Sequence, residues 1–189
     1  MDSVLIVSGT DKGRDMLTEL CRSESFSHIV TASCGSEARR VLIGETFDLI
    51  VINAPLPDEF GHELAISIAG ETCSGILMLV KSELSDEVSA KVENYGVFVL
   101  GKPINRPLFY QSLRLLYASC KRLSGLKQQT VQLENKIQEI RLVDRAKYTL
   151  MQYLSMTEPQ AHRYIEKQAM DMRLSKRAIA ESILNTYEY

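Results

Sequence analysis

The chain has 189 residues, 22 Lys and Arg against 24 Asp and Glu, a formal net charge of −2, and 45% hydrophobic residues. That balance fits a globular protein of one large or two small domains and excludes disordered, collagen-like and low-complexity classes. The longest apolar runs, Val4–Val7, Leu49–Ile52 and Ile76–Val80, fall far short of the ~20 residues of a membrane helix, so no membrane partner is expected.

Met1 and Asp2 lead directly into Val4–Val7 with no basic region. No signal peptide is expected, and the protein reads as cytoplasmic. Val4–Val7 is a strand, and Asp11–Arg22, with Met16, Leu17 and Leu20 at helical spacing, a helix. His28–Ala32 and Ser36–Ile43 repeat the pair. Phe47–Ile52 is a third strand closed by Pro55 and Pro57, and Gly61–Ala69 a third helix. Ile76–Val80, Glu83–Asn94 and Val97–Leu100 follow as strand, helix and strand, with a fifth helix after Pro103. Strands alternating with helices predict an α/β, doubly wound, five-stranded parallel sheet covered on both faces.

The pattern then changes. From Leu108 to Leu154 there is no proline and one glycine, Gly125. Leu116, Leu123, Thr130, Ile137 and Asp144 recur every seven residues. Leu126, Leu133, Ile140 and Lys147 form a second seam three residues out of phase. This a/d pattern predicts a coiled-coil helix of roughly 60–70 Å that makes a homodimer through Leu116, Leu123, Leu126, Leu133, Ile137 and Ile140. Gly125 is its weak point, and Asp144 with Lys147 marks its end. Thr157, Pro159 and Gln160 then signal a helix start, and Ser175 caps a last helix carrying Ile179, Ala180, Ile183 and Leu184 on one face. The expected layout is a first domain over 1–118, the long helix over 108–154 and a three-helix module over 130–189.

Cys21, Cys34, Cys73 and Cys120 form no CxxC pair, and His28, His62 and His162 are the only histidines. No metal and no cofactor are expected, and the thiols read as reduced. No nucleophile–base pair or phosphate loop is evident. Gly9–Gly13 lacks nucleotide-binding spacing, so no enzyme is expected and no catalytic residue is named.

The segment from Phe47 to Gly61 resembles the phospho-acceptor segment of two-component receiver domains. Pro57 and Gly61 stand four and eight residues after Asn53, and Lys102-Pro103 follows the last strand. The resemblance implies a flavodoxin-like receiver fold over residues 1–118 and a cis peptide at Pro103. The acceptor pocket is degenerate. Asn53 stands where the family has its phosphorylated aspartate, Ser8 and Gly9 where it has two acidic residues, and Val80 where it has Ser or Thr. Phosphoryl transfer needs a carboxylate nucleophile and an oxygen-held magnesium ion, so this pseudo-receiver is expected to take no phosphate. Lys102 is expected to bond Asn53 or nearby backbone. Neither Asp11 nor Asp58 is expected to take over as acceptor.

Ala146-Lys147, Leu150-Met151, Ala161, Ala169-Met170, and Ala178-Ile179 with Ile183-Leu184 resemble the marks of the ANTAR domain, a family of RNA-binding transcription antitermination regulators. The resemblance covers residues 130–189. It implies a dimer that binds hairpins in leader transcripts, with a regulatory protein partner as the expected control. Phosphate and base contacts are assigned to Arg145, Lys147, Tyr148, Arg163, Tyr164, Lys167, Arg173, Lys176 and Arg177. Ala178–Leu184 is too apolar for a DNA-recognition helix. The rival class is a protein-interaction scaffold without nucleic-acid binding. The charge division favours RNA. Residues 1–120 hold 10 basic and 16 acidic residues, a net of −6, whereas residues 121–189 hold 12 and 8, a net of +4.

Overall fold

The computed structural model describes residues 3–24 and 26–187. Met1 and Asp2, on which the signal-peptide expectation rests, lie outside them. The chain forms two compact units, Met1–Gly125 and Leu126–Tyr189.

In the first unit, β1 (Ser3–Ser8), β2 (His28–Ala32), β3 (Leu49–Asn53), β4 (Gly75–Lys81) and β5 (Phe98–Lys102) form one sheet in the order β2-β1-β3-β4-β5. Every neighbouring pair is parallel. The intervening helices are α1 (Asp11–Ser23), α2 (Gly35–Gly44), α3 (His62–Glu71) and α4 (Ser85–Val92), and α5 (Arg106–Leu154) follows β5.

The sheet sorts its side chains by strict alternation. Leu5, Val7, Ile50, Ile52, Met78 and Val80 face one layer, where Ala38 of α2, Leu64 and Ile68 of α3 and Val88 and Val92 of α4 cover them. Val4, Ile6, Leu49, Val51, Leu77 and Leu79 face the other, under Leu17, Leu20 and Cys21 of α1 and Phe109 and Leu113 of α5. Both layers are dry over the central strands, so β1, β3 and β4 are apolar along Val4–Val7, Leu49–Ile52 and Ile76–Val80, which is why they read as unbroken runs.

Some boundaries moved. Phe47 and Val97 precede their strands rather than starting them; both are apolar because they pack into the core. The expected helix Glu83–Asn94 is shorter, with single 3₁₀ turns at Ser82–Leu84 and Glu93–Tyr95 on either side of α4. Gly96, at φ 73°, closes the second turn. The peptide before Pro103 is cis, as is that before Pro55.

The second unit holds the rest of α5 with α6 (Glu158–Met172) and α7 (Lys176–Tyr187) around Ala146, Leu150, Ala161, Ile165, Ala169, Ile179, Ala180, Ile183 and Leu184. The Thr157 N–H donates to Gln160 Oε1 at 2.9 Å, with Pro159 in the first turn of α6. The Ala178 N–H donates to Ser175 Oγ at 3.2 Å at the start of α7. α6 stops at Arg173, left-handed at φ 54°, where the Leu174 N–H reaches back to the Ala169 carbonyl at 3.0 Å.

Along α5 the heptad residues Leu123, Leu126, Leu133, Ile137 and Ile140 are exposed, Leu133 to 62%. Leu116 differs from the others: it packs against the α1 layer of the sheet, so the exposed stripe begins at Leu123. α5 runs unbroken through Gly125. No helix among the described residues is long and apolar enough to cross a membrane.

Gly61 caps α3 at φ 107°. A Cβ there would meet Ile52 Cγ2 at 3.1 Å. Gly61→Ala is expected to lose about 1–2 kcal/mol of stability from the left-handed backbone, measured by urea unfolding. An unchanged midpoint would contradict the strain.

Candidate functional site

Ser8, Asn53 and Lys102 end β1, β3 and β5. Parallel strands deliver all three to the carboxyl edge of the sheet, the edge where open α/β sheets place their ligands. The register sets Ser8 beside Asn53. Asn53 Nδ2 donates to Ser8 Oγ at 2.9 Å. Lys102 Nζ donates to Asn53 Oδ1 at 2.9 Å and to the Ala54 carbonyl at 2.5 Å. The Asn53 amide is thus engaged at both ends. Burial, and then the charge of Lys81, hold the Lys102 ammonium below its usual range.

The glycines beside these bonds have no room for a side chain. A Cβ on Gly13 would come within 2.6 Å of Ser8 Oγ and 2.9 Å of Asn53 Nδ2, and one on Gly9 within 2.8 Å of Pro57 Cδ. Val80 is fully buried in the layer of α2, α3 and α4. Two contributors escaped sequence reasoning. Arg14 Nη1 donates to the Ser8 carbonyl at 2.7 Å while its guanidinium pairs with Asp11. Ser82 Oγ donates to the Lys102 carbonyl at 2.7 Å. The i, i+3 spacing of Asp11 and Arg14 is the one sequence signal that could have found the first; nothing local marks the second.

The donor set does not fit the divalent cation of receiver domains. Ser8, Gly9 and Asn53 offer neutral oxygens only, Asn53 Oδ1 is taken by Lys102, and the Arg14 cation lies on the Ser8 carbonyl. Among the described residues no group of three His, Cys, Asp or Glu could hold a metal. The two other candidate acids are occupied. Asp11 pairs with Arg14. Asp58 accepts from the Gly35 N–H at 2.9 Å, the Ser36 N–H at 2.8 Å and Ser36 Oγ at 2.9 Å. It caps α2 from another loop, and those backbone donors hold its carboxyl well below the carboxylate range. Neighbouring Glu59 pairs with Arg39 of the same helix.

In the second unit, the sequence-named residues differ in their surroundings. Lys147 lies between Asp144 and Glu158, 2.8 Å from each, and those bonds hold its ammonium well above its usual range. Lys176 pairs with Glu166 at 2.6 Å and Arg177 with Glu181 at 2.9 Å. Arg145, Arg163, Lys167 and Arg173 are exposed. Tyr148 is 70% exposed and shares a hollow with Lys147, Met151 and Glu158. Lys147 and Lys176 meet Lys136 and His162 around a second hollow floored by Ile140 and Val143. Tyr164 lines a third, between α6 and α7.

Solved structures match the first unit. A two-component response regulator from Clostridium difficile covers 61% of this chain and 95% of its own, at a TM-score of 0.56 and 22% identity. The signal receiver domain of an HD domain-containing protein from Pseudomonas fluorescens Pf-5 covers 66% and 92%, at a TM-score of 0.60 and 20% identity. At that identity the likeness is one of fold. Residues 131–184 match the ANTAR domain family.

The chain carries an ANTAR domain behind a receiver fold. The transcriptional regulatory protein PdtaR of Mycobacterium tuberculosis is 27% identical over 183 residues, spanning 97% of this chain and 89% of that protein. All nine residues assigned to RNA from the sequence fall within the ANTAR match, as does the Lys147 clamp that joins α5 to α6 through Glu158.

The Asp58 cap gives a pH test of the receiver fold. A depressed carboxyl contributes stability above its ordinary value and loses it as pH falls through the folded one. Asp58→Ala is expected to lower the urea midpoint at neutral pH, the gap to the parent shrinking below about pH 4. An undiminished gap in acid would remove the charge from the account.

Proposed function

We propose that this protein is an RNA-binding transcription antitermination regulator that binds hairpins in leader transcripts as a homodimer, acts in the cytoplasm, and uses its receiver-like unit for docking or dimerisation without accepting a phosphoryl group. The ANTAR match over residues 131–184 carries this reading. The likeness to PdtaR, a transcriptional regulatory protein, supports it. Stabilised hairpins compete with a terminator, so polymerase reads through; no catalytic residue and no cofactor are needed.

The stripe Leu123, Leu126, Leu133, Ile137 and Ile140 supports the dimer, since an a/d stripe left in water gains by facing a second copy. Two modules on one dimer would engage two hairpins at high effective concentration. The exposed Arg163, Lys167 and Arg173 suit phosphate contact better than Lys147, Lys176 and Arg177, whose charges already face carboxylates. A partner that covers the stripe or the ANTAR domain is the control this layout allows.

Gel shift of a hairpin-pair RNA tests the reading. With three phosphate contacts, log affinity should fall against log salt with a slope of about −2.5, near −0.7 to −0.9 per contact. A flat curve would remove the phosphate assignment. A dimer that retains no RNA would favour the scaffold reading, which the paired Lys147, Lys176 and Arg177 would suit.

Incubation with a small phosphodonor and magnesium should leave the intact mass unchanged, because the pocket offers Asn53 and a closed bond chain. A stoichiometric adduct on the receiver-like unit would refute its non-phosphorylated role.

A further inference from the structure

The groove between α6 and α7 has no part in the charge argument. It is lined by Tyr164, Gln168 and Met172 of α6 and Ser182, Ile183 and Thr186 of α7, over a volume of about 160 Å³. Its floor is apolar, with Leu150 and Ile179 among its lining residues. Along α6, Tyr164, Gln168 and Met172 recur every four residues, which sets them on one stripe. Tyr164 is 37% exposed, so part of its ring meets water. Tyr187, which also lines the groove, lies against the Tyr153 ring with centroids 5.5 Å apart and planes 30° apart, extending the aromatic surface.

The polar groups in the groove are of the reading kind. The Thr186 hydroxyl donates its proton to the Ser182 carbonyl at 2.8 Å, leaving its lone pairs as acceptors. Among the described residues nothing engages the Gln168 amide or the Ser182 hydroxyl. An amide presents a donor and an acceptor side by side, the complement of a base edge. No charged side chain lines the groove, so a phosphate has nothing to bind there, whereas a flat uncharged heterocycle has both a ring to stack on and groups to pair with. Arg163 and Lys167, exposed on α6 beside Tyr164 in sequence, would hold the backbone outside.

We infer that this groove takes one unpaired nucleobase of the RNA, stacked on Tyr164, with Gln168 and Ser182 pairing to its edge. The inference rests on the RNA-binding reading above and adds to it a place where sequence is read rather than charge. Single-stranded loops are recognised by this combination of stacking and edge pairing.

The full-length protein would select hairpins from a pool of fixed stem and randomised loop, and the recovered hairpin would be remade with 2-aminopurine at each loop position in turn. The groove predicts a fluorescence change on binding at one position. Tyr164→Ala should abolish it and weaken binding about 10- to 100-fold, the scale of one lost base–aromatic stack. Tyr164→Phe should restore the change because the ring is kept. Gln168→Ala should relax the base preference at the same position. Circular-dichroism melting of each variant separates lost recognition from lost fold. Tight binding by folded Tyr164→Ala and Gln168→Ala with unaltered fluorescence would overturn the groove alone. Failure of the parent protein to retain any hairpin would overturn the RNA reading with it.

Discussion

A parallel sheet has no face it can leave in water, and the first unit is organised around that constraint. Alternate residues of each strand go to opposite layers, so both layers need helices. α2, α3 and α4 supply one; α1 and the start of α5 supply the other. Phe109 and Leu113 are fully buried there, which roots α5 in the receiver-like unit before the same helix enters the ANTAR domain. The constraint also fixes where polar groups can go. With both faces dry, they gather where the strands end, and Ser8, Asn53 and Lys102 meet at that edge because parallel strands all finish on the same side.

At that edge the polar groups bond one another. Each polar atom that a receiver would turn toward a metal or a phosphate is turned here toward a neighbour. Asn53 joins Ser8 to Lys102, Arg14 lies on the Ser8 carbonyl, and Ser82 on the Lys102 carbonyl. No buried polar side-chain atom among the described residues is left without a partner, as is usual for a native interior.

What could be read from the sequence followed from how local its cause is. Buried parallel strands leave unbroken apolar runs, so β1, β3 and β4 are plain in the sequence, and Pro57, Gly61 and Lys102-Pro103 stand out because turns admit few residue types. Phe47 and Val97 read as strand starts because burial and strand pairing leave the same apolar mark. The α6 start at Thr157 and Gln160 was legible because a cap is a four-residue event. The functions of Asp58 and Lys147 were not legible: Asp58 caps a helix 22 residues away, and Lys147 looks like any surface cation until Glu158 arrives from the next helix. Leu116 fits the heptad as well as Leu123 does; only the sheet beneath it separates the two. The groove between α6 and α7 left no trace, because Gln168 and Ser182 are ordinary helix residues until two helices are set side by side.

The bond chain through Ser8, Asn53 and Lys102 has a consequence for how such a protein can carry information. Groups that already satisfy one another have a single preferred arrangement, and a switch needs two. For the function proposed here, each copy behaves as a constant. A cell could then change the outcome by how many copies it makes, or by what it places on their surfaces, and the response would follow abundance as a dose rather than flip as a state.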